Sequence, residues 1–159
     1  LVEPYMAYCN IVWAAPRKTG QLEHLFKIQK KYCRLITFSH FQAHSKPLFQ
    51  RLYILNVYNI YKLQLAIFMF KIINNLIPHA ASFIFKASST IHKHFTRYRE
   101  NLHISYCRTS CRVSTVNIQG PKLWNYILNN HHELATLKSL NVFKSKFKKL
   151  LIFEDLCFN

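Results

Sequence analysis

Lys27, Lys30, Lys31 and Arg34 recur at intervals of three and four residues, the spacing that gathers side chains on one side of an α-helix. Four cations placed this way can contact successive oxygens of a phosphodiester backbone. No acidic residue falls inside the cluster to offset them. The competing reading is a solvated helix face, the usual fate of a charge run. Arg97 with Arg99, Arg108 with Arg112, and Lys144 with Lys148 and Lys149 are weaker versions of the pattern. Tyr98 and Tyr106 sit among these arginines, where an aromatic ring can stack on a base, although a strand aromatic is more often core. The candidate phosphate-binding residues are therefore Lys27, Lys30, Lys31, Arg34, Arg97, Arg99, Lys144, Lys148 and Lys149.

The acidic residues exclude other chemistry. Asp155 is the sole aspartate and lies beside Glu154, while Glu3, Glu23, Glu100 and Glu133 are scattered singly. Two-metal phosphoryl transfer needs two or three clustered carboxylates, and glycoside hydrolysis needs a facing pair. Neither is supplied, so no catalytic residue and no cofactor is assigned to this segment. His103, Cys107 and Cys111 have the spacing of a helical i, i+4, i+8 ladder, and His92 or His94 would have to complete a zinc site. The segment reads as extended and lacks the C-x2-C spacing of structural zinc, so no metal ligands are assigned. A G-x-S-x-G elbow is absent, and two glycines leave no phosphate loop or dinucleotide fingerprint.

The first basic cluster requires a helix to position it. Leu22, Leu25, Phe26, Gln29, Tyr32, Cys33 and Ile36 supply the opposite, packing face at helical spacing. Before it, residues 1–14 read as an aromatic-rich core helix, and 16–20 as a basic turn. After it, 37–44 read as a loop with His40 and His44. Ser45 is placed as the N-cap of a short helix over 46–55, with Pro47 in its first turn. Residues 57–74 are apolar nearly all round and predict the central helix, ended by Pro78. Residues 87–101 read as an exposed polar connection. The β-branched Val113, Val116 and Ile118 predict that 102–106 and 112–118 are two short strands. Gly120-Pro121 then reads as a breaker opening a helix that carries Leu123, Trp124, Ile127 and Leu128. Ser139 is expected to cap a last helix with the stripe Leu140, Phe143, Phe147 and Leu150. The expected fold is mostly α, a bundle-like helical domain with a candidate short β-hairpin near 102–118. It divides into a helical region over 1–86, a basic connection over 87–119 and C-terminal helices over 120–153.

Half of the 159 residues are hydrophobic and 15% are aromatic, enough for a real core. Lys and Arg number 22 against 6 acidic residues, a net charge of +16. The excess is even: eight basic and two acidic groups in 1–60, eight and one in 61–120, six and three in 121–159. A folded body with such a field points to a polyanionic partner, nucleic acid before an anionic membrane surface. The longest apolar run, 63–77, is interrupted by Gln64, Lys71, Asn74 and Asn75 and falls short of the roughly 20 residues that span a bilayer. Five irregularly spaced cysteines fit a reducing compartment better than a disulfide scaffold. No signal peptide is recognisable, and the expected location is intracellular, nuclear or cytoplasmic. With no initiator Met, the chain reads as a piece of something larger.

Five groups of residues, in order, carry a resemblance. Pro4-Tyr5 with Tyr8-Cys9 and Trp13 resembles the pattern P-x-L-x-Y-x-x-x-x-W. Leu22, Leu25, Gln29-Lys30-Lys31 and Arg34-Leu35-Ile36 resemble L-x-x-L-x-x-x-Q-K-R-x-x-R-x-I. His44-Ser45-Lys46-Pro47-Leu48-Phe49 with Leu52, Ile54 and Leu55 resembles H-x-x-P-L-F-x-x-L-x-I-L. Gly120-Pro121-Lys122-Leu123-Trp124-Asn125 resembles G-P-x-x-W-N, and Phe143-Lys144 with Lys148 resembles F-K-x-x-L-K. Together they span about residues 1–152 and resemble the C-terminal part of a LINE-type, non-LTR retrotransposon reverse transcriptase of the jockey-like sort. One departure is that Tyr126-Ile127-Leu128 stands where L-P usually follows the W-N motif.

The resemblance implies a region after the palm, at or beyond the thumb, of an RNA-directed DNA polymerase. The family's catalytic aspartates and their Mg2+ would lie upstream, at residues not present here. This segment would hold RNA template, DNA primer or their hybrid without sequence specificity. Its implied partners are nucleic acid and the upstream domains of the parent polymerase, not a membrane. The alternative is a structural helical module that docks on the polymerase core with little nucleic-acid contact.

Overall fold

The computed structural model describes residues 2–15, 21–78, 83–91 and 99–154. Within them the chain forms ten helices: α1 (Val2–Ala7), α2 (Asn10–Trp13), α3 (Gln21–Ile36), α4 (Ser45–Leu52), α5 (Val57–Ile73), α6 (Ser88–Ile91), α7 (Ser110–Val113), α8 (Val116–Asn130), α9 (His132–Ala135) and α10 (Leu140–Phe153). The fold is mostly α.

Helix α5 is central because no side of it is polar enough to face water. Ile60, Leu63, Leu65, Ala66, Met69, Phe70 and Ile72 are all buried. Helices α1, α2, α3, α8 and α10 pack around it. Its start is fixed by Asn56, whose side chain accepts a hydrogen bond from the Asn59 N–H at 2.7 Å. Where α5, α8 and α10 meet, Phe70 stacks on Phe143 at 4.6 Å between centroids, Phe143 stacks on Phe147 at 5.7 Å, and Trp124 meets Phe70 edge-on at 6.5 Å. Each such buried ring contributes roughly 2–3 kcal/mol by area, with about 1 kcal/mol more per well-oriented pair.

Helices α3, α4 and α5 end alike. Phe38, Tyr53 and Asn75 have φ of 50°, 55° and 54°, in the left-handed region. In each case the next residue donates back five positions: Ser39 to the Arg34 carbonyl, Ile54 to Phe49 and Leu76 to Lys71. This is the Schellman closure, which usually places glycine at the left-handed position. None of the three here is glycine.

Four expectations are corrected. The hairpin near 102–118 does not form. Leu102 makes only an isolated bridge to Ala87, and the side-chain amide of Asn125 takes both its N–H and its carbonyl, at 2.8 and 2.9 Å. Residues 110–113 and 116–118 are helical instead. Helix α8 starts at Val116 rather than at Gly120-Pro121, so Pro121 is its sixth residue. The N–H missing from Pro121 would have bonded the carbonyl of Asn117, an exposed residue whose backbone water can serve. Gly120 lets α8 lie close to α5: a Cβ there would come 2.6 Å from the Met69 sulfur. Helix α4 begins at Ser45 with His44 as its cap residue, and ends at Leu52. Finally, the first segment breaks at Cys9, with φ 48°, and is not wholly core. Ala14 and Ala15 are buried, whereas Tyr5, Tyr8 and Val12 are 73–82% exposed.

Candidate nucleic-acid interface

Helix α3 carries the basic cluster, and its inner face explains why the helix sits rigidly. Leu22, Gln29 and Cys33 are buried. The Gln29 amide donates to the Leu55 carbonyl at 2.7 Å and accepts from the Val57 N–H at 3.0 Å. One side chain thus satisfies two buried backbone groups at the connection from α4 to α5. Cys33 packs with Leu48 and Phe49, and burial pushes its thiol above the ordinary cysteine range, partly countered by Arg34. Tyr32 and Ile36, expected on the packing face, are instead more than half exposed.

The outer face gathers the cations. His24, Lys27, Ile28, Lys30, Lys31 and Arg34 line a shallow depression of about 260 Å³, and Phe41 closes it from the following loop. Arg34 holds that loop in place, its Nε donating to the Ala43 carbonyl at 3.1 Å. The Lys30 Nζ lies 4.0 Å from the centre of the Phe26 ring, a cation–π contact that fixes its stem. Lys31 is exposed. Contrary to expectation, an acid does touch the cluster: Glu23 pairs with Lys27 at 3.0 Å. Both side chains are exposed, so the pair is worth well under ~1 kcal/mol and yields readily to a competing phosphate. Four cations against one carboxylate leave this face of α3 with a positive balance, while the wall of the depression itself is almost wholly apolar side-chain surface.

The remaining cations are dispersed in role. Lys148 is half-buried, with its Nζ 3.5 Å from a Glu3 carboxylate oxygen and 5.5 Å above the Tyr53 ring. It brackets α10 to α1 and to the end of α4, which is structural work. Lys144 and Lys149 are exposed on α10, and Arg99 is exposed. Arg97 and Tyr98 lie outside the described residues. Tyr106 is 87% exposed and so is not a core aromatic.

Three residues that line the depression, His24, Ile28 and Phe41, were missed from sequence. His24 shares the face of Lys27 and Lys31 by spacing and was legible in principle. Phe41 is brought there only by the fold of the 37–44 loop, though two phenylalanines in a short polar loop, Phe38 and Phe41, were a usable signal. Both rings are solvent-exposed, Phe38 at 97%.

The described cysteines Cys9, Cys33, Cys107 and Cys111 are free. Among the described residues no three of His, Cys, Asp and Glu converge to hold a metal ion. The ladder from His103 to Cys111 is broken because 103–108 are not helical, and His92 and His94 lie outside the described residues. No described helix is long and apolar enough to cross a membrane. No protein-family model, no curated protein and no solved structure matches the chain.

Proposed function

We propose that this chain is a non-catalytic nucleic-acid-binding segment of a retrotransposon RNA-directed DNA polymerase, acting inside the cell on template RNA, primer DNA or their hybrid. The observation that carries the binding reading is the α3 depression, where four cations meet an exposed phenylalanine. Lys27, Lys30 and Lys31 would contact phosphates, and Phe41 would offer a ring face to a base. Arg34 would divide its guanidinium between the Ala43 carbonyl and a phosphate. Such contacts read charge and shape, so binding would be independent of sequence. The polymerase assignment rests on the five ordered motifs alone.

Lys31→Glu and Phe41→Ala test the reading, with a labelled single-stranded oligonucleotide followed by fluorescence anisotropy. Both side chains are exposed, so folding is retained. Loss of a stacked ring costs roughly 1–3 kcal/mol, a fall in affinity of about 5- to 150-fold. Binding by both variants at the wild-type affinity would remove α3 as the interface.

A second reading is favoured by a different surface. Tyr5 on α1, Tyr8 in the turn after it and Val12 on α2 are all exposed. Such a surface is suited to docking on an upstream domain of the parent polymerase, which is the structural-module alternative. The two readings use different surfaces and are compatible.

A further inference from the structure

A cavity of about 490 Å³ opens between the 84–91 segment, residues 103–105 and the corner joining α7 to α8. This falls within the usual size range of small-ligand sites, roughly 300–1,000 Å³. Lys86, His103 and Arg112 converge on it from three separate segments, together with Thr115 and Asn117. No acidic side chain is among the described residues that line it, and three isoleucines, Ile84, Ile91 and Ile118, provide apolar wall.

The walls are built rather than incidental. The backbone of Lys86 is fixed by the His103 N–H, which donates to its carbonyl at 2.8 Å, and Ser88 donates to Asn101 at 2.8 Å. Asn125 in turn clasps Leu102 and ties this pair of segments to α8. On the other side, the Thr115 hydroxyl donates to the Arg112 carbonyl at 2.7 Å, the Ser114 hydroxyl to Cys111 at 2.8 Å, and the Gln119 amide to Val113 at 2.9 Å. The backbones that carry Lys86, His103 and Arg112 are therefore held in register before any ligand arrives, which lowers the ordering cost of binding.

We propose that this cavity is a phosphate-binding pocket in which Lys86 and Arg112 supply the charge and the Asn117 side-chain amide a neutral hydrogen bond. Arg112 can take a phosphate through two parallel N–H donors, and Lys86 acts as a point charge. The phosphate would come either from a nucleic-acid backbone or from a free or terminal phosphate. Neither Lys86 nor Arg112 borders the α3 depression, so the pocket stands or falls independently of the interface proposed there.

The test is a titration of the 15N-labelled 159-residue chain, followed by backbone amide shifts. The probes are inorganic pyrophosphate, a thymidine dinucleotide with one internal phosphodiester, and thymidine. Pyrophosphate is expected to bind saturably, with the largest shifts at residues 86, 103 and 112–118, and thymidine is expected to shift nothing. Arg112→Gln and Lys86→Gln should each weaken pyrophosphate about tenfold, whereas the exposed Lys138→Gln control should not. Saturation by the dinucleotide as well assigns the pocket to nucleic-acid backbone; saturation by pyrophosphate alone assigns it to a free or terminal phosphate. Non-saturating shifts, shifts centred elsewhere, or wild-type affinity in both pocket variants would overturn the proposal.

Discussion

Gln29 is the residue on which the placement of the basic helix most depends, and replacing it gives a quantitative test. Gln29→Met keeps the volume but removes both ends of the amide clasp. The Leu55 carbonyl and the Val57 N–H then lose their partners at residues 1% and 0% exposed. Each orphaned buried group costs about 1–3 kcal/mol, so the pair costs roughly 2–6 kcal/mol. For a chain of this length that is a fall in Tm of roughly 4–24 °C. Gln29→Glu separates the two ends. It keeps an acceptor for Val57 but turns a carboxylate oxygen toward the Leu55 carbonyl. Burial raises the folded-state pKa of such a glutamate above its unfolded value, near 4.3. Its contribution is then intact below that value and lost as pH rises through the folded pKa. Gln29→Glu should accordingly be closest to wild type in acid and furthest from it at neutral pH. Urea unfolding followed by circular dichroism from pH 4 to 8 measures both variants. A cost below about 1 kcal/mol for Gln29→Met, or a pH-independent deficit for Gln29→Glu, would refute the clasp.

Two further substitutions probe the core. Gly120→Ala sets a methyl 2.6 Å from the sulfur of Met69, a fully buried side chain that must shift to admit it. Overpacking should cost about 1–3 kcal/mol in thermal unfolding, and Met69→Ala should cost less in the Gly120→Ala chain than in the wild type, because it removes the atoms the new methyl meets. The Tyr61 hydroxyl is buried without a hydrogen-bond partner among the described residues, and burial pushes its pKa up to about 12. Because the folded pKa is raised, the neutral phenol is favourable below the unfolded value of about 10, and that contribution is lost between pH 10 and 12. Tyr61→Phe should be neutral or stabilising at pH 7 and should flatten the alkaline limb of stability.

The motifs that carried the resemblance turn out to do architectural work. Gln29 clasps the α4–α5 connection, Gly120 permits α8 to approach Met69, Trp124 packs on Phe70 and Phe143, and Asn125 clasps Leu102. These roles were illegible because each is set by a partner far along the chain. The helical class, α3 and the central helix were legible, since period and uniform apolarity are local signals. The hairpin over 102–118 was misread because β-branching at Val113, Val116 and Ile118 outweighed, on paper, the absence of a partner strand. Pro121 was read as a helix start because proline favours the first turn, whereas tertiary packing of Ile118 and Leu123 carries α8 back to Val116. The outward face of α1 and α2 could not be read at all: an aromatic-rich segment does not say which of its sides another element will cover. Charge was legible as a total but not by role, so Lys148 looked like Lys149 until the structure set it against Glu3 and Tyr53.

The central claim is that the outer face of α3 grips phosphates. Its most direct measurement is the affinity of the chain for an RNA–DNA hybrid between about 50 and 200 mM salt. Four phosphate contacts give a slope of log affinity against log salt of roughly −3 to −4. Lys27→Glu with Lys31→Glu should reduce the magnitude of that slope by about 2, with a fall in Tm of only about a few degrees, because both side chains are exposed and the substitutions set like charges beside Glu23 at helical spacing. A flat wild-type salt dependence, or the same slope in the doubly reversed chain, would contradict it.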